Sequence, residues 1–69
     1  MVEVFKTNIT DRTIADEIVQ YLNAHLPRTK INFDLADCDN ILRVEADNIC
    51  IEQVLKLMAD VGRECKVLE

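Results

Sequence analysis

Three thiols and one imidazole are the side chains of this 69-residue chain best suited to chemistry: Cys38, Cys50, Cys65 and His25. Thiolates bind soft metal ions and attack electrophiles, and a histidine serves as base or ligand. Their spacing matches no metal-ligand run, and an odd cysteine count does not fit a disulfide-stapled secreted domain. The plain reading is three free thiols in a reducing cytoplasm. Asp34, Asp37, Asp39 and Asp47 invite comparison with a calcium loop, but that loop's central glycine and terminal glutamate are missing. They read as turn formers and solubilising charge. No glycine-rich phosphate loop, nucleophile elbow or HExxH helix occurs. The expectation is a protein that is not an enzyme and uses no cofactor.

Composition narrows the partners. Thirteen acids against eight bases give a net charge of −5, which repels nucleic-acid backbones and anionic membrane surfaces. No apolar run approaches the roughly 18 residues of a membrane span, and no basic start leads into an apolar stretch. With one Gly and one Pro the chain has no flexible linker, and residues 1–69 read as one domain. A chain this short buries only about 60% of the surface its unfolded form exposes, so modest stability is expected.

The elements that must position these residues are marked by periodicity. In Lys30–Ala46, Ile31, Phe33 and Leu35 alternate with polar residues, and so do Leu42, Val44 and Ala46, around the turn-prone Ala36–Asn40. This predicts a β-hairpin. Val2–Asn8 alternates loosely and reads as a first strand. Ile14, Ala15, Ile18, Tyr21, Leu22 and His25 recur at helical spacing after a possible cap at Thr10 or Asp11, or a weaker capping box of Thr13 with Asp16. Leu26-Pro27 stops that helix. Ile51, Val54, Leu55, Met58 and Val61 form the stripe of a second helix, which Gly62 is placed to end. Arg63–Leu68 reads as a last strand. Strand, helix, strand, strand, helix, strand is a split βαβ pattern, predicting an α+β, ferredoxin-like sandwich: an antiparallel sheet in order 4-1-3-2 with both helices on one face.

That topology locates the chemistry. Cys38 and Cys65 fall at one end of the sheet but on opposite edges, roughly 14 Å apart at about 4.8 Å per strand. Zn–S bonds of about 2.3 Å do not span such a gap within one molecule. A metal site using Cys38 and Cys65 therefore needs a second copy, with Asp37 and Asp39 flanking Cys38. Otherwise Cys38 is a turn residue and Cys65 a small core hydrophobe. Cys50, at the start of the second helix, is the candidate reactive thiol, since a helix N-terminus activates a thiolate. The plainer reading is a poor cap, with Asn48 capping in its place. His25 lies on the apolar side near a helix C-terminus without a convincing partner, and reads as structural.

The chain resembles the heavy-metal-associated domains, the copper-chaperone type of ferredoxin-like domain. The resemblance is carried by Val54-Leu55 through Met58, by Val61-Gly62, by Cys65-Lys66-Val67-Leu68-Glu69 and by the Leu26-Pro27 helix end. It covers nearly the whole chain, mostly as core pattern, and so implies fold more than activity. The family's metal site is a Met-Thr-Cys-x-x-Cys loop before the first helix. Counting back from Leu26-Pro27 places its two cysteines at Arg12 and Ala15, and no cysteine precedes Cys38. The family's metal ligands therefore carry over onto no residue here.

The remaining expectation concerns the sheet face away from the helices. Alternation assigns Val2, Val4, Ile31, Phe33, Leu35, Leu42, Val44, Ala46, Cys65 and Val67 inward. Phe5, Ile41 and Leu68 are left as an apolar patch on the open face. Such a patch suits a homodimer or a protein partner. The alternative function is soft-metal binding (copper or zinc) through a non-standard cysteine site.

Overall fold

The computed structural model describes residues 1–36 and 38–68; Asp37, expected to flank Cys38, and Glu69 lie outside them. The elements are β1 (Val2–Thr7), α1 (Arg12–His25), β2 (Lys30–Asp34), β3 (Ile41–Glu45), α2 (Ile51–Asp60) and β4 (Cys65–Val67). The strands form one antiparallel sheet in the order β2-β3-β1-β4. This is the ferredoxin-like α+β arrangement that the sequence pattern predicts.

Local chemistry sets the helix ends. Asp11 caps α1, its Oδ1 accepting from the Thr13 and Ile14 amides at 2.7 and 3.1 Å. These bonds satisfy two of the amides that a helix start leaves without partners. At the other end Leu26 and Pro27 stop the helix, and Arg28 turns the chain at φ 65°. α2 finishes in a Schellman motif. Gly62 sits at φ 73°, its amide donating to Ala59 O, while Arg63 N–H donates to Met58 O. Glycine is favoured there because a Cβ disfavours positive φ.

The core lies between the helices and one sheet face. Ala15, Ile18 and Leu22 of α1 and Val54, Leu57 and Met58 of α2 pack with Phe5, Ile31, Phe33, Leu42 and Val44. Here β1 departs from expectation. Phe5 pairs with Leu42 on β3 and Val67 on β4, points at the helices and is 0% exposed. Val2 and Val4 take the open face instead.

The reason is the parity of β1. Two valines on one parity compete with Phe5 and Ile9 on the other, and the larger pair buries more apolar area. A strand's faces exchange together, so one misjudged residue inverts all of them. Thr7 follows Phe5 inward, and its hydroxyl is satisfied there: it donates to Asn40 O at 2.6 Å and accepts from the Ile9 amide at 3.2 Å. Phe5 is therefore a core residue and leaves the predicted patch. Ile41 is on the open side but only 6% exposed, between Asp34 and Lys6 in its cross-strand row. Leu68, at 39%, is the one patch member that the structure exposes.

Candidate functional site

The loop between β1 and α1, where the resemblance places a metal site, is built as a structural joint. Thr7 N–H donates to Asp39 O at 3.3 Å, tying the end of β1 to the β2–β3 turn. Ile9 is buried in the core, and Asp11 is spent on the helix cap. Arg12 donates from Nη2 to the Phe33 carbonyl of edge strand β2 at 3.2 Å and faces Asp16 at 3.6 Å. Ala15 is fully enclosed. The two positions to which the family's thiols would align are therefore an arginine on the sheet edge and an alanine in the core. This donor set does not fit a soft metal ion.

The cysteines are not brought together. Cys38 is exposed in the β2–β3 turn, and Cys65 is half-buried at the start of β4, opposite Thr7. Edges β2 and β4 stand on opposite sides of the sheet. Burial pushes the Cys65 thiol up to about 11, which keeps it protonated and a poor metal ligand or nucleophile. Cys50 is the N-cap of α2, as its position predicts, but no side chain completes the cap. Asn48 does not supply it. Among the described residues no group of three or more His, Cys, Asp or Glu could hold a metal ion.

One cavity does join two chemically active residues. It has a volume of about 360 Å³ and lies between the end of α1, the start of α2 and β3, with Val44, Ile49, Val54, His25 and Cys50 among its lining residues. The His25 ring is exposed; its Nδ1 bonds the Tyr21 carbonyl at 2.9 Å. That bond orients the ring and leaves Nε2 as the second, available nitrogen. Helical periodicity put His25 on the apolar side of α1. The shared cavity with Cys50 was out of its reach, because only the packed fold brings the two helix ends together.

The open face of the sheet is the other surface of note. Cross-strand pairing arranges it in rows. Asp34, Ile41, Lys6 and Lys66 form one. Asn32, Arg43 and Val4 form the next, extended by Leu68, whose amide donates to Val4 O at 2.9 Å. Lys30, Glu45 and Val2 form the third. Val2 is 52% exposed. No helix of the described residues is long and apolar enough to cross a membrane.

No family model matches the chain, and no curated protein matches it. Among solved structures it is similar to the solution structure of the yeast copper transporter domain CCC2A in the apo and Cu(I)-loaded states. The TM-score is 0.76 at 20% identity, over 99% of this chain and 94% of that one. At that identity the likeness shows a shared fold.

Proposed function

We propose that this chain is a non-catalytic cytoplasmic interaction module, built on a fold shared with a copper transporter domain and without the Met-Thr-Cys-x-x-Cys loop of the family it resembles. The observation that carries the reading is the β1–α1 loop: Ile9 is packed in the core and Asp11 caps α1, and no residue there offers a thiol. The surface that the fold leaves for a partner is the open face around Val4, Arg43 and Leu68. Native mass spectrometry of the reduced protein with stoichiometric Cu(I) or Zn²⁺ tests the reading. The expected mass is that of the metal-free chain; retention of one metal ion per chain contradicts it.

A second reading, soft-metal binding at a non-standard site, has one observation in its favour: Cys50 and His25 line the same cavity. It requires that Cys50→Ser and His25→Asn each abolish metal retention. Retention lost only on Cys38→Ser, in a species of dimer mass, would instead point to a site shared through Cys38.

A further inference from the structure

The open face differs in charge from the rest of the molecule. It holds four of the eight basic residues, Lys6, Lys30, Arg43 and Lys66, but only Asp34 and Glu45 of the thirteen acidic ones. The remainder of the chain carries eleven acids against four bases. The face is thus a basic patch on an acidic protein.

Local bonds leave most of that positive charge unspent. Lys6 lies 3.6 Å from Asp39. Among the described residues, Lys30, Arg43 and Lys66 are in no ion pair. Asp34 turns its Oδ1 to the amide of Ala36 at 3.1 Å, so one of the two carboxylates is held at the sheet's end.

Arg43 stands in the middle row, with Asn32 on one side and Val4, then Leu68, on the other. An arginine fork binds carboxylates through paired hydrogen bonds, and arginine beside apolar contact area is a common energetic centre of interfaces. We propose that this face docks a carboxylate-rich segment of a partner protein, with Arg43 as the central carboxylate anchor and Val4 and Leu68 as its apolar contact. The proposal rests on the interaction reading above and adds the partner's chemistry. A parallel self-association is disfavoured by the same feature, since two copies meeting through this face bring two basic patches together.

Amide-resolved NMR titration of the intact protein tests it. The probe is a short synthetic peptide alternating Glu and Leu, with the Gln/Leu peptide as its uncharged counterpart. The expected result is shifts centred on Val4, Arg43 and Leu68 for the Glu peptide, weakening as salt is raised. Binding should also be weaker by about tenfold for Arg43→Gln, the loss of one charge-assisted contact, and weaker still for the Gln peptide, which has lost every carboxylate. Equal binding of both peptides at this face overturns the acidic partner and leaves the interaction reading standing. No shift at the face, binding to phosphatidylserine vesicles without binding to the peptide, or a concentration-dependent dimer through the face each overturns the proposal.

Discussion

The two faces of the sheet are made by the same strands, yet they are finished differently. The helix face is closed by Phe5, Ile31, Phe33, Leu42 and Val44 against two helices. The open face alternates with it residue by residue and ends in lysines, an arginine and three partly or fully exposed aliphatic side chains, Val2, Val4 and Leu68. Burial rewards volume and shape, so the first face is fixed by folding. Solvent sets few constraints on the second, so its departure from the protein's acidic average needs another cause. Binding is the cause proposed above.

Substitutions on the helix face should break this contrast most severely. Phe5→Ala is expected to cost about 3–5 kcal/mol by chemical denaturation, the range for a fully buried aromatic. For a small domain that is much of the total stability. A loss below about 1 kcal/mol would mean that Phe5 lies on the open side after all. Thr7→Val should cost about 1–3 kcal/mol, because Asn40 O and the Ile9 amide lose a buried partner. Asp11→Ala should cost about 1 kcal/mol by removing the α1 cap, read as a lower midpoint and faster amide exchange in the first turn.

A smaller effect sharpens the comparison at the sheet's margin. Cys65 pairs with buried Thr7 yet is only half covered. Its thiol is raised from 9.0 to about 11 by burial, so between those values the unfolded chain has released a proton that the folded chain retains. Stability should therefore fall as pH rises from about 9 to 11, and Cys65→Ala should flatten that slope. Alkylation of Cys65 in the folded protein should accelerate only as pH approaches the upper value.

Most of the fold was legible because its signals are redundant. The hairpin alternates on both arms, both helices carry apolar stripes, and Pro27 and Gly62 mark the helix ends. β1 was legible as a strand but not in its facing. Within the strand one parity holds Val2 and Val4 and the other only Phe5; Ile9, which continues the parity of Phe5 and decides between them, lies beyond the strand and reads as loop. That ambiguity moved Phe5 out of the core and Val4 out of the surface. Leu57 lies off the predicted stripe, yet it follows Val54 at i+3 and is buried with Val54 and Met58 on the core side of α2. The charge of the open face was hidden by the chain's overall acidity. It emerges only when the cross-strand register assigns each lysine and arginine to a side.

The most direct test of the account is the unfolding free energy of the triple variant Lys30→Gln, Arg43→Gln, Lys66→Gln. If these cations serve binding and not the fold, the variant should match the native chain within about 1 kcal/mol, as surface substitutions generally do. A loss of several kcal/mol would place them in the fold's own stabilising network and contradict the division of labour between the two faces.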